Sequence, residues 1–151
     1  MVVTTAAGYP LDTTYYQAIK GLVGALDILR PGGSIILAAE CSQGLGSIEF
    51  RHMLEDLALF GTYDEFLTHI SNPDNFVVDQ WEVEMLVKAL RKGKIYLFST
   101  GLADDEWPFT FATRVANVTD AVSRALANEA CESAIAVIPE GPYVIPQRGL
   151  A

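Results

Sequence analysis

The sequence is short of the residues that build the commonest sites. Cysteine occurs twice, at Cys41 and Cys131, so there is neither a disulfide framework nor a paired Cys-x-x-Cys zinc signature. Two reduced core or loop thiols in a cytoplasmic protein are the expectation. Histidine also occurs twice, at His52 and His69, 17 residues apart and without Glu or Cys at ligand spacing, so no metal site is expected. Basic residues are scarce, 10 against 19 acidic, and the net charge of −9 argues against nucleic acid or an anionic membrane as partner. The longest apolar run, Ile35 to Ala39, is far too short to span a bilayer. No lysine or arginine precedes Lys20, so the start does not read as a signal peptide. It reads instead as a strand without lead-in, as expected of a piece cut from a longer protein. No P-loop, G-x-S-x-G or G-x-G-x-x-G stands at a strand-to-helix junction.

What is present is apolar residues in quantity. Half of the 151 residues are hydrophobic, enough for one domain that buries about two-thirds of its unfolded surface. Strands are expected at 2–7, 34–40, 94–99 and 133–138, from β-branched or continuous apolar runs. Helices are expected at 13–29 with Asp12 as N-cap, 47–59, 63–70, 79–91, and 118–130 capped by Asn117 or Thr119. Trp81, Met85, Leu86 and Leu90 give the fourth helix its apolar side, and 101–112 reads as an irregular loop. Strands alternating with helices predict an α/β three-layer sandwich around a small, mainly parallel sheet of about four strands. Ligands of such sheets bind beyond the carboxyl ends of the strands, here at 8–14, 41–47, 99–112 and 139–146.

The first of these segments is the most informative. Gln17 and Lys20 are three apart and share a helix face within two turns of its start. An amide and an ammonium there suit a carboxylate, although spacing alone reads more simply as a solvated face. The loop Glu40 to Ser47, with Gly44 and Gly46, is expected either to offer N–H groups to an anion or to be a simple tight turn. Trp81, at a helix start after Val77 and Val78, reads as core. Asp104, Asp105 and Glu106 read as a solvated loop or a domain contact.

The run G-Y-P-L-D at 8–12 and Q-A-x-K-G at 17–21 resemble the C-terminal domain of the nickel-dependent lactate racemase family. A-E-C-x-x-G-x-G at 39–46, D-Q-W at 79–81 and V-I-P-E-G-P-Y at 137–143 extend the resemblance along the whole chain, in order. It implies racemisation or epimerisation of 2-hydroxy acids through a nickel-pincer nucleotide, with hydride passing to the pincer ring and back. By the same resemblance, the proton-exchanging histidines, the tethering lysine and the nickel-bound histidine belong to an N-terminal domain. This chain, 1–151, would be the C-terminal half of a longer two-domain enzyme, with that missing N-terminal domain and a small 2-hydroxy acid as partners. Lys20 would neutralise the substrate carboxylate or hydroxyl, Gln17 would hydrogen-bond beside it, and Trp81 would wall the site. No catalytic residue, metal ligand or cofactor is expected in the chain itself. Ser42-Gln43 departs from the Arg-Asp often found there in the family. The rival readings are a stand-alone α/β module for a small carboxylate or nucleotide, and a purely structural or dimerising domain.

Overall fold

The computed structural model describes residues 1–128 and 134–147. Cys131, the expected helix end at 129–130 and the expected strand start at Ser133 lie outside them. Among the described residues, five strands form one sheet: β1 (Val2–Thr5), β2 (Gly33–Ala38), β3 (Gly93–Phe98), β4 (Thr113–Arg114) and β5 (Ala136–Ile138). Their order is β4-β3-β2-β1-β5 and every pairing is parallel. The helices are α1 (Tyr15–Ala25), α2 (Ile48–Leu59), α3 (Tyr63–Ile70), α4 (Gln80–Lys92) and α5 (Val118–Asn128).

The layers follow from the order of connections. From β1 to β4 each strand is laid beside the last in one direction, so right-handed crossovers keep α1 and α4 on one face. The return from β4 to β5 reverses direction and carries α5 over the other face. Side-chain alternation along the strands matches this division. Ile35, Leu37, Ile95 and Leu97 join the main core with Ile19, Leu22, Leu86 and Val87, whereas Ile36 and Tyr96 pack with Ala121 and Ala125 of α5. The expected three-layer α/β sandwich is therefore found.

Three details differ from the sequence reading. The sheet has a fifth strand, β4, only two exposed residues long and held to β3 through Tyr96 and Leu97. A segment so short and polar has no hydrophobic periodicity to reveal it. Helix α1 starts at Tyr15 and is capped by Thr14, whose hydroxyl accepts from Gln17 N. Asp12 is diverted from capping, because its carbonyl takes Cys41 N at 2.7 Å and its carboxylate takes Glu40 N at 3.4 Å. The buried stripe of α4 is Glu82, Val83, Leu86, Val87 and Ala89, about one position on from the expected one, which leaves Trp81 45% exposed. Asn117 does cap α5, accepting from Asp120 N at 2.8 Å.

Two motif glycines fix how the chain leaves the sheet. The turn after β5 (Gly141–Tyr143) packs on α1 so closely that a Cβ on Gly141 would lie 2.8 Å from Gly21 Cα and 2.6 Å from Thr5 O. A Cβ on Gly21 would itself lie 2.6 Å from Thr5 O, so both places require glycine.

Candidate functional site

The loops at the carboxyl edge are stitched to each other. Tyr15 N and Tyr16 N, which open α1 and lack helical acceptors, donate to Gly44 O and Leu45 O at 2.9 Å each. Gln43 N reaches Thr13 O at 2.7 Å, and Gly101 N reaches Glu40 O at 2.8 Å. Of the two readings of the 40–47 loop, the tight turn fits better, since most of its N–H groups are used inside the protein. Cys41, Gln43 and Gly44 N–H groups go to backbone carbonyls, and Leu45 N goes to Glu106 Oε1 at 3.1 Å. Glu106 also accepts from Ala103 N at 2.9 Å, so this acid is a structural pin rather than part of a solvated run. Its neighbours Asp104 and Asp105 meet Arg114 at 2.7 Å and Arg51 at 3.5 Å on the surface. Cys41 is buried at φ 55, and burial pushes its thiol up to about 12, so it is no nucleophile at neutral pH.

Beside this stitched edge, α1 and α4 bring together the residues singled out in the sequence. Gln17 and Lys20 are both half-buried, and Lys20 Nζ donates to Gln17 Oε1 at 2.6 Å. The ammonium stands 5.4 Å from the Tyr16 ring centroid and 5.8 Å from that of Trp81, within cation–π range of both. Those two rings meet edge to face at 6.1 Å, and Tyr16 in turn packs edge to face on Phe50 at 5.2 Å. Trp81 is thus neither core nor free surface. It is a half-open wall on one side of the Lys20 ammonium.

Sequence reasoning missed three contributors. Tyr16 precedes Lys20 by four residues, so helical spacing already put its ring under the ammonium. Its hydroxyl donates to Asp79 Oδ1 at 3.1 Å, and burial together with that carboxylate pushes the phenol up to about 12. Asp79 sits at the start of α4 in the left-handed region, φ 69, without capping the helix by its side chain. Glu82 follows Trp81 directly but points inward. It is 0% exposed, and burial pushes its carboxyl up to about 7, against the opposing pull of Lys20.

A groove of about 350 Å³ opens from Lys20 and Trp81 between α1, α4 and the segment after β5, with Val23, Met85, Pro142 and Ile145 on its walls. A polar hollow of about 330 Å³ lies on the other side, among Thr14, Tyr16, Gln43, Ser47 and Asp79. One fixed cation, one amide and two aromatic walls can bind and orient a small anion with an apolar substituent. They hold no group poised to exchange a proton with it.

The donors present do not suit a metal. His52 lies on α2, while His69 on α3 is tilted against Phe60 and sits 3.2 Å from the Asn75 amide. Among the described residues, no three His, Cys, Asp or Glu side chains gather to hold an ion. No helix among them is long and apolar enough to cross a membrane.

Residues 1–146 match the family described as the lactate racemase C-terminal domain. The lactate racemase of Thermoanaerobacterium thermosaccharolyticum is 31% identical over 146 residues, covering 96% of this chain and 34% of that protein. The lactate racemase of Lactiplantibacillus plantarum is 31% identical over 148 residues, again 96% of this chain and 34% of the relative. The solved structure of the lactate racemase apoprotein from T. thermosaccharolyticum superposes with a TM-score of 0.83 at 28% identity, covering 97% of this chain and 35% of the other. This chain therefore spans about a third of the length of these relatives, and it belongs to the lactate racemase C-terminal domain family.

Proposed function

We propose that this chain is the substrate-positioning C-terminal domain of a cytoplasmic racemase or epimerase of 2-hydroxy acids such as lactate. The observation that carries the reading is the Lys20 ammonium, tied to Gln17 at 2.6 Å and flanked by the rings of Tyr16 and Trp81. In a cleft closed by a second domain, such a cation neutralises the substrate carboxylate. Gln17, already hydrogen-bonded to the ammonium, has its amide N–H groups left to donate to the hydroxyl or carboxylate. Trp81 limits where the remaining substituent can lie. These are contributions of orientation and charge, worth several kcal/mol when water is excluded.

A nickel-pincer nucleotide, where bound, supplies a ring that accepts and returns hydride. Among the described residues, His52, His69 and the buried Cys41 do not gather to fit that group, so we assign it, with the proton-exchanging groups, to an N-terminal domain. The test compares the isolated chain with the intact two-domain protein in a chiral lactate assay. The intact protein is expected to interconvert the enantiomers and the isolated chain to leave them unchanged. Turnover by the isolated chain would contradict the division of labour. An intact, metal-loaded protein inert toward lactate and larger 2-hydroxy acids would contradict the substrate class.

A further inference from the structure

Glu82 is the one acidic side chain among the described residues that is fully buried, and neither of its carboxylate oxygens has a hydrogen-bond partner. Buried carboxylates usually find donors, because an unpaired charge away from water is costly. The surroundings of Glu82 supply none. Its neighbours on the buried stripe of α4, Val83, Leu86 and Val87, are apolar, and α4 packs that stripe against α1 and β3. The charged groups that act on Glu82 are Lys20, from α1, and Asp79, at the start of its own helix. Tyr16 of α1 also feels its charge. Glu82 follows Trp81, whose ring stands 5.8 Å from the Lys20 ammonium, so the buried carboxyl and the groove-lining ammonium share the α1–α4 seam.

We propose that Glu82 is a positioning residue for Lys20. Ionised, it holds part of the ammonium's field inside the seam; protonated, it leaves that field to a carboxylate arriving in the groove. Carboxylate binding at Lys20 is thereby coupled to uptake of one proton from water by Glu82. The coupling is reciprocal, since a second negative charge beside Lys20 makes the ionised form of Glu82 harder to sustain. The raised carboxyl, about 7, puts this exchange in the neutral range. The binding half of the proposal rests on the reading of Lys20 as a carboxylate anchor.

The test is a pH titration of the 151-residue chain labelled with 13C at glutamate Cδ and lysine Cε, followed by NMR. One carboxyl should titrate near neutrality, vanish in Glu82→Gln, and move upward when Lys20→Met removes the ammonium. A Glu82 that titrates with the other glutamates, or ignores Lys20→Met, overturns the proposal. Sodium lactate is then added, with sodium chloride as control, and the Lys20 Cε shift is followed. Lactate should bind about five-fold or more weaker at pH 8 than at pH 6 in the parent sequence, and equally at both in Glu82→Gln. Equal affinity at both pH values in the parent sequence also overturns the proposal. Lactate that leaves Lys20 unperturbed in both proteins contradicts the anchor reading instead, and the titration arm alone then decides whether Glu82 and Lys20 are coupled.

Discussion

The Tyr16 hydroxyl donates to Asp79 Oδ1 at 3.1 Å, tying the first turn of α1 to the left-handed residue that opens α4. The bond holds the two aromatic walls of the Lys20 site in one frame, because Trp81 stands two residues beyond Asp79 and packs on the Tyr16 ring. Tyr16→Phe keeps the ring and removes only the tie. It should cost about 1 kcal/mol in urea unfolding, the ordinary worth of such a bond. A loss above about 3 kcal/mol would mean that Tyr16 supports far more than this contact.

Gly141→Ala and Gly8→Ala separate close approach from backbone conformation. A Cβ on Gly141 would lie 2.6 Å from Thr5 O, so overpacking should cost about 1–3 kcal/mol. At Gly8 there is open space, and the penalty comes only from φ +74, about 1 kcal/mol. Equal losses in thermal or urea unfolding would contradict the packing of the segment after β5 onto α1.

Cys41 should behave as a locked thiol. In a Cys131→Ser background it is the sole cysteine, and its burial and raised thiol, about 12, predict that iodoacetamide modifies it only through unfolding. Its alkylation rate at pH 8 should rise with urea in step with the unfolded fraction. Rapid modification of the folded protein would refute this.

Glu82 also gives stability a pH dependence of definite sign. Its folded carboxyl is raised from the ordinary 4.5 to about 7, so the folded state holds a proton that the unfolded chain has lost. The contribution is full below about pH 4.5, declines as pH rises through about 7, and amounts to at most about 3 kcal/mol. Other carboxylates superimpose their own dependence, so the relevant quantity is the difference between the parent protein and Glu82→Gln. The parent should lose stability relative to the variant between pH 5 and pH 8. A difference that is flat or rises with pH would contradict the buried, unpartnered state of Glu82.

Much of this architecture was legible because apolar periodicity is a local signal. The β1–α1–β2 unit and the existence of helices α1 to α5 were visible in it, as were the loops gathered at one edge. The misreadings came from tertiary demands on single residues. Asp12 has the chemistry of an N-cap, yet the backbone at 40–41 claims it. Glu82 lies on an apolar stripe where its charge argued against burial, and only the packing of α4 reveals it. Glu106 looked like one of three solvated acids until the 40–47 loop was seen to spend an N–H on it. Gln17 and Lys20 were found together because an i, i+3 pair on a helix is a local relationship. Tyr16, four residues before Lys20, was open to the same argument and was missed, whereas the approach of Trp81 needed the crossing of α1 with α4.

The central claim is that Lys20 anchors the substrate carboxylate, and its most direct measurement is kcat/KM for lactate racemisation by the intact enzyme carrying Lys20→Ala. Lys88→Ala serves as control, since Lys88 is exposed, with its ammonium 3.8 Å from Met85 Sδ, and does not line the Lys20 groove. Lys92 is unsuitable for that purpose because its ammonium holds Leu26 O at 2.5 Å. Circular dichroism and metal content establish that both variants are folded and loaded. Loss of a positioned, charge-assisted contact in a closed cleft predicts about 2–4 kcal/mol of transition-state stabilisation, a fall of about 30- to 1000-fold, with Lys88→Ala near the parent rate. A folded, metal-loaded Lys20→Ala enzyme that turns over lactate as fast as Lys88→Ala would contradict the account.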